Sequence, residues 1–283
     1  MTDNENKKEA KLYLCATPIG NLGDITERVI NALKEADAVF CEDTRNSSVL
    51  LNRLGVKNRL FSMHEHNEER EAERIAAMVE EGKTVAYISD AGMPCISDPG
   101  ERLVRVFIEK GLPFTVLPGA SASLTAAIMS GLKTKRIYFA GFLPRENRDR
   151  TELISEIKRV KATVVIYESP YRAAETLKEL KELLGDRDAA VVRELTKLFE
   201  ETKRGKLSEL YELYRETAPK GECVIVIAGA EGEEKPVEGL DEMLMRLMKS
   251  GLSAKDASKQ ASLLLDIPKA EAYARANELK REL

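Results

Sequence analysis

Short, nearly continuous apolar runs recur along the chain at residues 12–16, 38–41, 84–88, 114–117 and 137–140, and again at 163–167, 189–192 and 223–228. Runs of this length with little polar interruption suit β-strands covered on both faces. Between the early runs the spacing changes to that of a helix. Ile25, Val29, Leu33 and Ala36 repeat at intervals of four and three behind a cap at Asp24 or Thr26. Ile75, Met78 and Val79 mark a second such face, and Leu103, Val106 and Phe107 a third. Strand alternating with helix through the first part of the chain predicts a largely parallel sheet with helices on both sides.

The expected fold class is α/β, with two domains that each hold a mixed sheet flanked by helices. At 283 residues, a single hydrophobic core is near its usual size limit. We place a flexible N-terminus at 1–11, an N-terminal α/β domain at 12–130 and a C-terminal α/β domain at 131–230. The polar, basic segment 130–136 is the hinge candidate, and a cleft between the two domains is the natural ligand site. Residues 231–236 read as a linker, and 237–283 as a small helical accessory region punctuated by Gly251 and Pro268.

Composition narrows the classes. The formal charge of −4 offers no global positive field for nucleic acid, so any RNA contact has to be local. Cys15, Cys41, Cys95 and Cys223 are scattered without a C-x-x-C pair, which predicts free thiols rather than a disulfide frame or a zinc site. The first ten residues are polar, and no uninterrupted apolar run approaches ~18 residues. The expectation is a soluble, cytoplasmic protein with no membrane partner.

Two strand-end segments carry the chemistry of a small-molecule site: Ser89-Asp-Ala-Gly-Met-Pro94 and Pro118-Gly-Ala-Ser-Ala122. Small residues let backbone groups approach a ligand, and a sulfonium bearing an amino-acid tail wants carbonyls and a carboxylate such as Asp90 rather than lysines. The opening turn Thr17-Pro-Ile-Gly-Asn-Leu-Gly-Asp24 sits where a phosphate loop would, but its glycine spacing fits no phosphate-binding motif. Cys41-Glu-Asp-Thr-Arg45 ends a strand with two adjacent carboxylates, which strand geometry points to opposite faces; one is expected to pair with Arg45. His64 and His66 are the two histidines of the chain, with no third metal ligand evident, so His64 or Asn67 is read as lining the cleft. Arg145, Arg148 and Arg150, with Lys135 and Arg136 upstream, form the best local phosphate-binding candidate. Tyr167-Glu-Ser-Pro-Tyr-Arg172, Arg193-Glu-Leu-Thr-Lys197 and Lys220-Gly-Glu222 each set a carboxylate beside a cation near a strand end.

In this order these segments resemble the tetrapyrrole methylase superfamily, and within it the branch that methylates the ribose 2′-hydroxyl of a cytidine in the decoding region of 16S ribosomal RNA. The resemblance runs through TPIGNLGD, CEDTR, HEHN, SDAGMPCISDPG, LPGASA, GFLP, YESPYR, RELTK and KGE. The porphyrin-methylating relatives open on a glycine-rich G-x-G-x-G-D turn that this chain lacks, which favours the RNA branch. The resemblance implies a two-domain tetrapyrrole-methylase-like fold, a homodimer, and S-adenosylmethionine bound in the interdomain cleft. Its methyl-donor contacts fall on Pro18, Ile88, Ser89, Asp90, Met93, Ser121, Ala122, Glu168, Leu195 and Gly221. The substrate it implies is 16S rRNA within the small ribosomal subunit.

A ribose hydroxyl is a weak nucleophile, so a positioned base should help remove its proton. Asp43, Glu42 and His64 are the candidates, with Glu194 behind them, while Arg45 and the 145–150 arginines would hold flanking phosphates. Two other readings stay open on the sequence: a related methyltransferase acting on a small molecule or a protein, and a non-catalytic ribosome-assembly factor that retains the cleft. The C-terminal helices read as a helix-turn-helix accessory serving either RNA contact or packing.

Overall fold

The computed structural model describes residues 12–230, 239–265 and 267–280, and the expectations for 1–11 and for the linker at 231–236 lie outside them. The first sheet comprises β1 (Leu12–Cys15), β2 (Ala38–Cys41), β3 (Leu60–Ser62), β4 (Val85–Ile88) and β5 (Phe114–Leu117), ordered β3-β2-β4-β1-β5. Every pairing in it is parallel. The expected alternation holds, with α1 (Glu27–Glu35), α2 (Thr44–Arg53), α3 (Glu68–Glu80) and α4 (Glu101–Glu109) between the strands. Alternate strand residues serve opposite cores. Leu12, Leu14, Phe40, Val85 and Tyr87 pack on Ile75, Leu103 and Phe107 of α3 and α4, whereas Cys15, Val39, Cys41, Ala86 and Ile88 pack on Val29, Leu33 and Leu51 of α1 and α2. Thr26, not Asp24, caps α1, its hydroxyl accepting from the Val29 N–H.

The helices after β1 and β4 therefore lie on opposite faces although the strands are neighbours. That divergence opens a crevice at their C-terminal ends, the usual ligand position in such sheets. The second sheet holds β6 (Ile137–Phe142), β7 (Thr163–Glu168), β8 (Asp188–Arg193), β9 (Glu201–Lys206) and β10 (Cys223–Ile227), ordered β6-β7-β10-β8-β9. It is mixed: β6 and β7 run parallel and the remaining pairs antiparallel. One face is covered by α6 (Asn147–Ile157), α7 (Ala173–Leu184) and α8 (Leu207–Tyr214).

The other face is covered by α5 (Ala122–Ser130), whose Ala126 and Ala127 pack on Val165, Val192, Val224 and Val226. The division drawn at 130/131 counted this helix with the first domain; its small, apolar side chains seat it on the second sheet instead. The described residues through Ala230 form one compact unit and those from Gly239 a second. In the second unit α9 (Leu240–Lys249), α10 (Ala254–Leu265) and α11 (Lys269–Leu279) pack around Leu244, Ala257, Ala261 and Ala276, and Arg275 forks onto Asp241. No helix among the described residues is long and apolar enough to cross a membrane.

Candidate functional site

The crevice is built first from the loop that leaves β4. Thr17 and Gly92 exchange backbone hydrogen bonds of 2.8 and 3.1 Å, tying the turn after β1 to this loop, and the Thr17 hydroxyl donates to the Ser89 carbonyl. At the far end the Tyr87 hydroxyl donates to the Pro99 carbonyl at 2.7 Å. Glu68 of α3 then caps α4 from outside, accepting from the N–H groups of Gly100 and Arg102. Gly100 stands at φ 129, and a Cβ there would lie 2.6 Å from Cys95 Sγ and 2.9 Å from Tyr87 Cε1, so the position requires glycine. Between these pins Cys95 and Ser97 hold left-handed φ values of 68 and 62, uncommon outside glycine.

The second sheet supplies the opposite wall. Tyr167 and Glu168 end β7, Cys223 and Val224 start the antiparallel β10 beside them, and Leu195 follows β8. The Tyr167 hydroxyl accepts from the Ser123 N–H at 3.1 Å, which fastens the start of α5 to β7. Phe142 meets the Tyr167 ring edge-on at 5.4 Å. The result is a cavity of about 370 Å³ between the strand ends of the two sheets. Its charged lining residues are Asp90, Asp98, Glu168 and Glu222, and no lysine or arginine lines it among the described residues.

Six of the ten expected donor contacts, Asp90, Met93, Ser121, Ala122, Glu168 and Leu195, line this cavity. Four do not. Ile88 is buried in the core toward α1 and α2, and Ser89 lies beneath the wall with its carbonyl taken by Thr17. Pro18 and Gly221 are displaced by neighbours, Ile19 and Glu222 forming the wall in their place. Gly221 serves packing, since a Cβ at its φ of 79 would run into the Glu194 carboxylate.

None of the four expected catalytic residues, Glu42, Asp43, Arg45 and His64, lines the cavity, though the Asp43 N–H donates to the wall residue Asp90. Asp43 caps α2 through the Arg45 N–H at 2.8 Å and takes the Arg45 guanidinium on both oxygens. Those bonds hold its carboxyl down at about 2, which weakens it as a proton acceptor. Asp90 is similarly committed, one oxygen facing the Asp43 N–H and the other the Asn46 amide at 2.7 Å. Burial, then the nearby Asp90, pushes Glu42 up. The backbone N–H of His64 donates to Asn67 Oδ1, and the His64 ring meets His66 edge-on. Glu194 is paired with Lys197.

Of the basic candidates, Lys135, Arg136, Arg145 and Arg148 are exposed. Arg150 is not free for a phosphate: its guanidinium is paired with Glu179 at 2.6 Å and donates to Thr176 Oγ1. Thr176 in turn donates to Glu168, which also pairs with Arg172 and accepts from the Ser169 N–H. Glu168 thus braces the wall, with its side chain fully buried.

The residue that the sequence reading passed over is Asp98. It lies in Ser97-Asp-Pro-Gly100, which reads as turn chemistry, and the pattern holds no sign that the carboxylate would face the cavity. Burial raises its carboxyl to about 6, with Glu42 and Asp90 adding to the shift and the Ser89 hydroxyl opposing it. Phe142 and Tyr167, both inside quoted motifs, were likewise not singled out as wall residues.

The sequence profile of the Tetrapyrrole (Corrin/Porphyrin) Methylases matches residues 11–211. The chain is 43% identical over 268 residues to a "Ribosomal RNA small subunit methyltransferase I" of Halalkalibacterium halodurans, covering 93% of each chain. It is 39% identical over 280 residues to the protein of the same name from Bacillus subtilis, covering 96% of each. Among solved structures, a diphthine synthase superposes with a TM-score of 0.61 at 17% identity, over 77% of this chain and 89% of that one. A uroporphyrin-III-C-methyltransferase from Thermus thermophilus superposes with a TM-score of 0.56 at 20% identity, over 78% and 94%. At such identities these two likenesses speak to the fold alone.

Proposed function

The chain belongs to the tetrapyrrole (corrin/porphyrin) methylase family, and from that premise we propose that it methylates small-subunit ribosomal RNA with S-adenosylmethionine as donor, on the ribose 2′-hydroxyl of a cytidine in the decoding region of 16S rRNA. The observation that carries the reading is the cavity itself: small residues and strand-end backbone on its walls, carboxylates as its charged lining and no cation among the described residues. That lining suits a sulfonium and disfavours a phosphate-rich cofactor. When bound, the donor supplies an electrophilic methyl group on a positively charged sulfur.

Asp90, Met93, Ser121, Ala122 and Leu195 would hold it, with Phe142 and Tyr167 offering aromatic faces. Glu168 keeps that wall in shape through Thr176 and Arg172. Apolar wall residues such as Leu195 and Val224 would help keep water, a competing nucleophile, from the reacting centre. On the RNA side, exposed Lys135, Arg136, Arg145 and Arg148 would take backbone phosphates, a local contact that a chain of net charge −4 needs. A homodimer acting on the small subunit in the cytoplasm completes the reading; Leu124 and Ile128, one turn apart on α5 and 55% and 71% exposed, offer an apolar face for it.

The test is incubation with labelled donor and, separately, small ribosomal subunits, naked 16S rRNA and a porphyrinogen. A 2′-O-methyl group blocks alkaline cleavage at its own linkage, so the expected result is one protected linkage following a cytidine. Label in the porphyrinogen, or in ribosomal protein alone, would overturn the reading.

A further inference from the structure

The cavity has four carboxylates on its wall, and three of them are already engaged. Asp90 accepts from the Asp43 N–H and the Asn46 amide. Glu168 accepts from Thr176 and the Ser169 N–H and is paired with Arg172. Glu222 is paired with Lys197 at 3.0 Å. Asp98 alone of the four neither pairs with a cation nor accepts a backbone N–H among the described residues. Accepting the reaction given under the proposed function, we propose that Asp98 is the catalytic base that takes the proton from the ribose 2′-hydroxyl.

Geometry supports this before acidity does. The loop that carries Asp98 is fastened at both ends, by the Thr17–Gly92 bridge and by the Tyr87–Pro99 and Glu68–Gly100 hydrogen bonds. Between those pins two non-glycine residues, Cys95 and Ser97, are held left-handed. Backbone strain of that kind persists only where its surroundings over-determine it, and here it turns Asp98 toward the cavity. A base held on such a loop is oriented before substrate arrives.

The charges around Asp98 then set its acidity. Glu42 faces it from the end of β2, Asp90 and the Ser89 hydroxyl from the end of β4, Tyr87 from β4 itself, Cys95 from its own loop and Tyr167 from β7. No cation stands among these groups. Burial and the neighbouring carboxylates raise the carboxyl to about 6, close to the range in which a carboxylate is both ionised at neutral pH and basic enough to accept a proton. In the reaction the O2′–H bond breaks and the proton passes to an Asp98 oxygen. The electron pair released on O2′ forms the bond to the methyl carbon as the carbon–sulfur bond breaks, and the sulfur keeps that pair as a neutral thioether.

The experiment compares wild type, Asp98→Asn and Asp98→Glu in single-turnover methylation of small subunits across pH, with donor affinity from calorimetry and melting curves of the ligand-free protein alongside. For Asp98→Asn we expect a rate loss of about 100-fold or more, disappearance of the rise in rate through about pH 6, and donor affinity within about twofold of wild type. Asp98→Glu should recover part of the rate. Without any ligand, the folded protein holds a proton on Asp98 that the unfolded chain has released between about pH 4 and about pH 6. The wild type therefore loses stability relative to Asp98→Asn as pH rises through that window, and the difference is level above it. An Asp98→Asn rate within about threefold of wild type with the acid limb intact would overturn the proposal. So would a ¹³C-carboxyl titration of the wild type that puts Asp98 below about 4.5. A wild type that leaves every RNA substrate unmethylated sinks the functional reading itself, and that outcome is visible in the wild-type arm without reference to the variants.

Discussion

Two loops at the same end of the first sheet each carry an aspartate, and their surroundings drive the two carboxyls in opposite directions. The loop after β2 gives Asp43 a guanidinium and a helix N-terminus, and both oxygens are consumed in holding Arg45 and capping α2. The loop after β4 gives Asp98 burial and two carboxylate neighbours with no compensating cation. Residue type is identical; one carboxyl is driven to about 2 and the other to about 6. The same side chain is thus driven in opposite directions, by a guanidinium and a helix N-terminus in one loop and by burial beside other carboxylates in the other.

The largest effect expected from breaking this contrast is on turnover. Asp43→Asn should leave single-turnover methylation within about threefold of wild type, against a loss of about 100-fold for Asp98→Asn. Equal losses would mean that the contrast between the loops is wrong. Next comes the fastening of the second loop. Gly100→Ala forces a Cβ onto Cys95 and Tyr87 at an unfavourable φ and should lower unfolding free energy by about 2 kcal/mol, read from urea midpoints, while slowing methylation because Asp98 is displaced. Tyr87→Phe removes the hydrogen bond to Pro99 alone and should cost about 1 kcal/mol in the same assay.

The smallest expected effect is on the acid stability of the Asp43 loop. The folded-state carboxyl of Asp43 lies below its ordinary value of 3.8, so its contribution is fully present above that value and is lost as pH falls through about 2. Wild type and Asp43→Asn should therefore differ in urea midpoint at neutral pH by an amount that shrinks only on the acid side of pH 4. A difference that instead fades between pH 5 and 7 would point to another group.

Four of the five strands of the first sheet match apolar runs, β1, β2 and β4 because burial leaves little room for polar residues and β5, though an edge strand with Val116 exposed, because its sequence is largely apolar all the same. The exception, β3, is a three-residue edge strand whose side chains are only half-buried. In the second sheet β9 was invisible for the opposite reason: Glu-Thr-Lys-Arg-Gly-Lys is polar throughout, as suits an exposed edge that pairs only with β8. The helix α5 left no helical spacing to read, because its residues are small or apolar all round, and such a helix carries no mark of which sheet it will cover. The donor wall was read from motif positions, and it divided where backbone and side chain part company: Ser89 and Gly221 shape the wall without facing the cavity. Asp98 could not be read, since a Ser-Asp-Pro-Gly turn carries no mark of the burial and the carboxylates that surround it in the fold.

The function proposed for this chain requires that the cavity between the two sheets hold the methyl donor. Its most direct test is a crystal structure of the protein grown with S-adenosylhomocysteine. The expected result is the ligand in that cavity, against Asp90, Ala122 and Leu195, with its sulfur facing the side on which Asp98 lies. Ligand bound elsewhere on the chain, or a cavity closed by its own side chains with the ligand excluded, would contradict it.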